Sequence, residues 1–203
     1  MGIKSILSFS PVYNLFQRLT GAERLRRKIA AEYIRAEPGM RILDIGCGTA
    51  EILRFLPTVE YYGFDCSEEY IANARKRFGG RGKFECRRVG EGDLPAEGYF
   101  DLVLAIGILH HLDDVEAEKL FQLAAKALKP GGRLLTFDGV YVPGQNRIAR
   151  WIISHDRGKF VRSPDGYSGI MGRVFADNMI HLRTDLLHIP YHHAILECKK
   201  SVS

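Results

Sequence analysis

Short apolar blocks alternate with amphipathic segments along the first two thirds of the chain. Apolar residues recur at helical spacing up to Pro38, and the apolar run from Met40 to Ile45 then ends at a glycine turn. Further apolar runs predict strands at 59–64, 83–87, 100–106 and 133–138, with helices predicted at 49–56, 67–78 and 115–128. Strands that alternate with helices favour a parallel sheet covered by helices on both faces.

The alternation becomes looser beyond residue 139. Residues 147–155 are predicted to form a helix on which Trp151 shares a face with Ile148 and Ile152, so its indole ring is expected in the core. Residues 158–166 are predicted to form a loop. Two apolar runs at 180–189 and 192–199 flank Pro190 and predict an antiparallel hairpin that closes the sheet.

Composition limits the class of protein. A chain of 203 residues with 46% hydrophobic and 26% charged residues is typical of one globular domain. The net charge of +5 is scattered and forms no basic stripe interleaved with aromatic residues. The four cysteines are too widely spaced for C-x-x-C pairs, which predicts reduced thiols and a cytoplasmic location. The apolar runs are too short for a signal peptide or a membrane span, so no stable membrane insertion is expected.

The segment LDIGCGTAE at 43–51 is the most informative turn. Gly46 and Gly48 lack a Cβ atom, which lets a ligand approach the backbone at the carboxyl edge of the sheet. A dinucleotide-binding turn has a small residue where Glu51 stands, and the carboxylates of Asp44 and Glu51 would oppose a pyrophosphate. The same carboxylates favour a ligand that carries an ammonium and a sulfonium group, and Glu51 argues against a nicotinamide-dependent dehydrogenase.

Asp65 ends the second predicted strand, about 20 positions after the glycine turn. This placement suits a carboxylate that accepts hydrogen bonds from both hydroxyls of a ribose. Capping of the next helix is the structural alternative, but Ser67 is the better N-cap residue. We therefore predict that Asp65 binds a ribose.

Four segments resemble, in order and spacing, the motifs of class I S-adenosylmethionine-dependent methyltransferases: LDIGCGTAE, GFDCS, FDLVLAIGILHHL and LKPGGRLLTFD. The resemblance covers about residues 41–138, roughly half of the chain. It implies an α/β fold, a Rossmann-like three-layer sandwich with a seven-stranded, mostly parallel sheet and an antiparallel last strand. It also implies S-adenosyl-L-methionine as the methyl donor, S-adenosyl-L-homocysteine as the product, and no metal.

The resemblance also implies which residues bind the cofactor. Gly46 and Gly48 would lie beside the methionine moiety, with Asp44 supporting that site, while Cys66 would flank the adenine. In the family an acidic residue often contacts the adenine amino group at the position where this chain has Arg88. The adenine contact is therefore assigned to either Val89 or Asp93. Ala50 replaces a third glycine that is frequent in the family. The full set is Asp44, Gly46, Cys47, Gly48, Asp65, Cys66, Val89, Asp93 and Ala105.

His110 and His111 follow the fourth strand at the carboxyl edge. An imidazole accepts a proton near neutral pH, so one of the pair is predicted to be the general base for an acidic methyl acceptor, with His111 ranked first. The alternative is that one ring packs in the core and the other is solvated. Enzymes that methylate nucleobase amines typically carry an Asn/Asp-Pro-Pro-aromatic turn where residues 105–108 read AIGI, and the chain has no Pro-Cys pair, so DNA is not an expected partner.

Residues that bind the methyl acceptor are expected in the segments that flank the cofactor motifs. The predicted set is Tyr13, Tyr141, Arg157 and Arg162. Tyr13 would belong to a lid, and the two arginines would clamp a carboxylate or a phosphate. The structural alternatives are an N-terminal helix that packs on the core and an ion-pair network between Asp156 and the arginines.

The sequence thus predicts one domain with an N-terminal helical segment or lid at 1–38, a cofactor-binding core at 39–138, and a substrate-side insertion with a closing hairpin at 139–203. The expected reaction is in-line transfer of a methyl group from S-adenosylmethionine to a small-molecule oxygen, nitrogen or carbon nucleophile, by a monomer or homodimer. Methylation of RNA or protein, which the net charge of +5 supports, is one alternative. A non-catalytic, cofactor-binding regulatory module is another.

Overall fold

The computed structural model describes residues 21–155 and 158–202. Tyr13, Arg157 and the predicted lid over the first residues of the chain lie outside these ranges.

The described strands form one sheet in the order β3-β2-β1-β4-β5-β7-β6. The strands are β1 (Arg41–Ile45), β2 (Glu60–Asp65), β3 (Gly82–Cys86), β4 (Phe100–Ile106), β5 (Leu128–Gly139), β6 (Asp177–Arg183) and β7 (His193–Lys199). Strands β1 to β5 pair in parallel, whereas β7 is antiparallel to both β5 and β6. The predicted Rossmann-like α/β fold with an antiparallel last strand is therefore confirmed.

Helices cover both faces of the sheet. They are α1 (Ala22–Ile29), which continues as a π-helical turn (Ala30–Ile34), α2 (Glu68–Phe78), α3 (Asp114–Ala127), α4 (Arg147–Ser154) and α5 (Pro164–Met171). Ser67 is the N-cap of α2, as predicted, and its hydroxyl accepts a hydrogen bond from the Tyr70 N–H at 3.3 Å. One buried cluster lies between the sheet and α3 and α5, and a second lies between the sheet and α1 and α2.

Three local predictions were wrong. The segment after the glycine turn forms a short 3₁₀ helix (Glu51–Phe55) instead of a full α-helix. The predicted loop at 158–166 contains the start of α5, where Ser163 caps the helix and Pro164 occupies its first turn. Trp151 is 61% exposed because α4 buries its Ala149 face instead.

Ala50 adopts the left-handed conformation, with φ 55° and ψ 30°, and is fully buried. Replacement by glycine would relieve about 1 kcal/mol of backbone strain but lose a buried methyl group worth about 0.8 kcal/mol. We therefore expect Ala50→Gly to change the free energy of unfolding by less than about 1 kcal/mol, and Ala50→Val to lower it by about 2 kcal/mol or more. Urea unfolding of both variants measures the difference. Equal stability of the valine variant and the wild type would contradict the strain at this position.

Candidate active site

The glycine turn after β1 is anchored to the end of β2. The N–H groups of Gly46 and Cys47 both donate to the Phe64 carbonyl, at 2.8 and 3.0 Å. Gly46 and Gly48 have φ values of +73° and +55°, which favour glycine. A Cβ atom on Gly46 would lie 2.6 Å from Cδ1 of Ile108, whereas one on Gly48 would meet no atom within 4 Å. The turn is thus closed by Ile108 on one side and open at Gly48.

Asp65 joins this turn to the start of α2. One carboxylate oxygen accepts the Gly48 N–H at 3.0 Å, and the other accepts the Ser67 N–H at 2.8 Å. A carboxylate has about four acceptor positions, so two of them are not used by these backbone groups. Asp65 therefore positions the glycine turn and keeps acceptor capacity for the hydroxyl groups of a ligand.

Asp44 is a buried carboxyl group beneath the turn, with 2% of its surface exposed. The Tyr61 hydroxyl donates a hydrogen bond to Oδ2 of Asp44, while Oδ1 has no hydrogen-bond partner among the described residues. Burial raises the pKa of Asp44 to about 7, and the hydrogen bond from Tyr61 acts in the opposite direction. Burial, together with the nearby Asp44 and Asp65, also raises the pKa of the Cys47 thiol, so Cys47 stays protonated at neutral pH.

The predicted adenine contacts lie after β2 and β3. Cys66 is exposed, and Val89 is half-buried against the core. Asp93 accepts the Gly90 N–H at 2.8 Å and pairs with Arg87 at 2.9 Å, so both of its oxygens already have partners in the protein. Val89 is half-buried and keeps part of its apolar surface exposed.

Two sequence-based interpretations change with the structure. Ala105 is completely buried inside the sheet, so its side chain does not line an open site, and its contact with the cofactor stays a prediction. Glu51 pairs with Arg77 and Arg54, which neutralise its charge. Discrimination against a pyrophosphate therefore does not rest on Glu51, and the acidic character of the turn comes from Asp44 and Asp65.

His110 lies on the 3₁₀ turn that follows β4 (Leu109–His111) and is buried. Its Nδ1 is 2.7 Å from Oδ1 of Asp138, at the end of β5, and its backbone N–H donates to the same oxygen at 3.1 Å. Asp138 is completely enclosed, and burial raises its pKa while the hydrogen bonds from His110 oppose this shift. The two residues form a histidine–carboxylate pair at the carboxyl edge.

Contacts of the His110 ring define where its second nitrogen lies. If Gly107 carried a Cβ atom, that atom would lie 4.0 Å from Cε1 of His110. A Cβ atom on Gly158 would lie only 2.1 Å from Cδ2 of the same ring. Nε2 is bonded to both of these ring carbons, so it lies between Gly107 and Gly158, on the side of the ring opposite the Asp138 bond. His111 is exposed, and its ring centroid is 4.1 Å from that of His110. The carboxylate partner makes His110 the base that we propose, although the sequence ranked His111 first, and the choice between the two histidines stays a prediction.

Arg162 fixes the turn that carries both histidines. Its guanidinium is bonded to Asp114 at 2.9 and 2.8 Å and to the carbonyls of Leu109, Leu112 and Phe160 at 2.8–3.0 Å. An arginine has five N–H groups, and these contacts use all of them. The prediction that Arg162 clamps the acceptor is therefore corrected to a positioning role.

Arg162→Lys is expected to lower the free energy of unfolding by about 1–2 kcal/mol, because an ammonium group cannot satisfy the separate carbonyls that the planar guanidinium reaches. Methyl transfer should fall further than stability alone explains, since the histidine turn loses its support. Urea unfolding and steady-state kinetics measure the two effects. A variant with wild-type stability and turnover would remove the positioning role.

Tyr141 lies two residues beyond the end of β5 and is half-buried. Its backbone N–H donates to the Arg162 carbonyl at 3.1 Å, and the Arg150 guanidinium lies over its ring at 4.9 Å. Tyr141 is thus near the histidine–carboxylate pair along the chain, and its contact with the acceptor stays a prediction.

Sequence reasoning missed the partners of the site residues. Tyr61 and Asp138 act through contacts between strands that no local spacing reveals. The signal for Asp138 was available, because an acidic residue at the end of β5 must lie on the same sheet edge as the residues that follow β4.

One groove of the protein is not lined by any of the predicted site residues. This groove, of about 630 Å³, lies at the opposite, amino edge of the sheet between α1 and residues 54–57. Within the described ranges, no group of three or more His, Cys, Asp or Glu side chains is arranged to hold a metal ion. Over the same ranges, no helix has the length and apolar character required to cross a bilayer.

Comparisons with known proteins agree with this fold. Residues 43–134 match the family described as "Methyltransferase domain". The chain is 33% identical over 127 residues to a demethylmenaquinone methyltransferase of Desulfitobacterium hafniense, a match that covers 58% of this chain and 49% of the relative. It is 31% identical over 152 residues to an O-methyltransferase of Pyrenophora dematioidea, covering 66% and 56%.

A solved structure also resembles the whole fold. Magnesium protoporphyrin IX methyltransferase from Synechocystis superposes with a TM-score of 0.68 at 19% identity, covering 98% of this chain and 92% of the other. The match over residues 43–134, the methyltransferase relatives and the Rossmann-like sheet together support a class I S-adenosylmethionine-dependent methyltransferase domain. The chain spans about half the length of the curated relatives that it matches.

Proposed function

We propose that the protein transfers a methyl group from S-adenosylmethionine to a small-molecule oxygen, nitrogen or carbon nucleophile. The observation that carries the proposal is one sheet edge that combines the open glycine turn, the acceptors of Asp44 and Asp65, and the His110–Asp138 pair. The name of one sequence relative, a demethylmenaquinone methyltransferase, supports a small acceptor, and the name of another, an O-methyltransferase, supports an oxygen nucleophile.

The residues of the turn fit the cofactor. Asp44 keeps an unpartnered, buried oxygen that suits an ammonium group, and a buried acceptor without a partner is costly unless a ligand satisfies it. Asp65 keeps acceptor positions for the ribose hydroxyls, and Gly48 leaves space above the turn. Cys66 and Val89 would flank the adenine.

When bound, S-adenosylmethionine supplies an electrophilic methyl group on a sulfonium. Most of the acceleration of such an in-line displacement comes from holding the acceptor close to the methyl carbon and excluding water. For an acidic acceptor, His110 takes the proton at Nε2 while its Nδ1–H donates to Asp138. Asp138 thereby keeps the ring in one orientation and stabilises the imidazolium that forms.

Cofactor binding should release protons near neutral pH. Asp44 has a pKa of about 7 in the free protein, and the ammonium group of the ligand favours its ionised form. Because this pKa lies above the ordinary value of an aspartate, Asp44 contributes stability below about pH 4 that is lost as the pH rises through about 7. Calorimetry with S-adenosylhomocysteine in buffers of different ionisation enthalpy should show proton release at pH 6 to 7 that disappears well above pH 8. Asp44→Asn should abolish it, and an unchanged proton release in that variant would assign the proton to another group.

Two measurements test the proposed function. Calorimetric titration with S-adenosylhomocysteine tests the cofactor site, and incubation with methyl-labelled cofactor and a cell extract identifies the methylated product. A labelled small molecule supports the proposal. Label on RNA or protein would overturn the acceptor class, and cofactor binding without any labelled product would indicate a regulatory module.

A further inference from the structure

Helix α4 presents an unusual apolar surface to solvent. Ile148 and Trp151 are one helical turn apart and are 59% and 61% exposed. Phe160, which follows α4 by six residues, is 40% exposed and bonds through its backbone N–H to the His110 carbonyl at 2.9 Å. Large exposed side chains of this kind, close in the chain, are typical of an interaction surface.

The charged residues of this helix are positive. Arg147 and Arg150 belong to the same helix and are exposed, and α4 contains no acidic residue. Lys159 adds a further cation beside Phe160. Within residues 21–155 and 158–202, neither Arg147 nor Arg150 forms an ion pair with a carboxylate, whereas Arg162 is bonded to Asp114. The exposed arginines therefore keep their charge for an anionic partner.

A short amphipathic helix with tryptophan and isoleucine on one side and arginines beside them suits the interface of an anionic bilayer. Tryptophan favours this interface because its ring is apolar while its N–H can reach water. A single-stranded nucleic acid would instead stack on the indole face. One face of Trp151 is already covered by His155, with ring centroids 4.4 Å apart, and the aliphatic Ile148 offers nothing for stacking. The bilayer is therefore the favoured partner.

We propose that α4 docks this domain on an anionic membrane surface, with Ile148 and Trp151 in the interfacial layer and Arg147 and Arg150 against lipid phosphates. The helix follows β5 at the carboxyl edge of the sheet, and Gly158 contacts His110. Docking thus brings lipid close to the histidine–carboxylate pair. The contact is peripheral and does not depend on the proposed methyl transfer.

Trp151 is the single tryptophan of the chain, so intrinsic fluorescence reports directly on this surface. We expect a blue shift with vesicles of equal parts phosphatidylglycerol and phosphatidylcholine, and quenching when the acyl chains carry bromine. Pure phosphatidylcholine vesicles should bind at least about tenfold more weakly, and added salt should weaken binding to the anionic vesicles.

Matched variants locate the contact. Ile148→Ser should weaken vesicle binding about tenfold, and the double variant Arg147→Glu, Arg150→Glu should reduce it further. Met179→Ser, at an equally exposed position on β6, should bind like the wild type. Circular dichroism checks that each variant folds, and calorimetry with S-adenosylhomocysteine separates this surface from the cofactor site.

Three results would overturn the proposal. Wild-type vesicle binding by the Ile148 and arginine variants would place the contact elsewhere. Absence of quenching by brominated lipid would show that Trp151 does not enter the interface. Binding of a single-stranded RNA by the wild type, lost in the same variants and without any binding to vesicles, would assign the surface to nucleic acid.

Discussion

His110→Ala is expected to lower the rate of methyl transfer by about 10²–10⁴-fold, the range for loss of a general base. The buried hydrogen bond between Nδ1 and Asp138 orients the ring so that Nε2 is the nitrogen that would take the proton. Affinity for S-adenosylhomocysteine should change by less than about threefold, because the His110 ring bonds to β5 and not to the glycine turn. Single-turnover kinetics and calorimetry measure the two quantities.

His111→Ala is the matched control. Its side chain is exposed, so the rate should fall by less than about tenfold even if the contact between the two rings is lost. His110→Asn retains more of the buried side chain and guards against a simple loss of folding. The wild-type rate should decline with acid while the His110 variants lose this dependence. Wild-type turnover by His110→Ala, with an inactive His111→Ala, would move the base to His111.

Asp65→Ala should weaken the binding of S-adenosylhomocysteine by about 1–3 kcal/mol, the cost of leaving partnered hydroxyl groups unsatisfied. The same change removes the acceptor for the N–H groups of Gly48 and Ser67, so the glycine turn also loses its anchor to α2. Calorimetry gives the affinity, and urea unfolding gives the stability.

Ser67→Ala separates the two roles of this region. It removes only the helix cap, so stability should fall by about 1 kcal/mol while cofactor affinity stays within about twofold. If Asp65→Ala lost stability but kept its affinity for S-adenosylhomocysteine, the carboxylate would be a structural residue of the turn and not a ribose ligand.

The central strands of the sheet were largely predictable because they are buried on both faces. The run at Phe100–Ile106 is uniformly apolar apart from Asp101, and the structure forms β4 over those residues. The N-cap at Ser67 and the turn at Gly46 and Gly48 were predictable for local reasons, since each depends on residues within one turn of the chain. Periodicity and backbone chemistry are properties of short segments, so a single sequence carries them.

Contacts between distant segments were not predictable in the same way. Glu51 was assigned to the ligand, but its partner Arg77 comes from α2. Arg162 was assigned to the acceptor, although its guanidinium reaches back to carbonyls around Leu109 and Leu112. The burial of Trp151 was also mispredicted. An amphipathic period indicates that a helix has two faces, but it does not indicate which face packs on the sheet.

Gly158 lies against the edge of the His110 ring, where even a methyl group would overlap Cδ2 and the backbone carbonyl. The imidazole therefore packs against the main chain of Gly158 on one side, and the Asp138 carboxylate binds it on the other. An evolutionary consequence follows: relatives that use this histidine in the same way must conserve glycine here. A relative with a larger residue at this position has to seat its ring differently or take up the proton by another route.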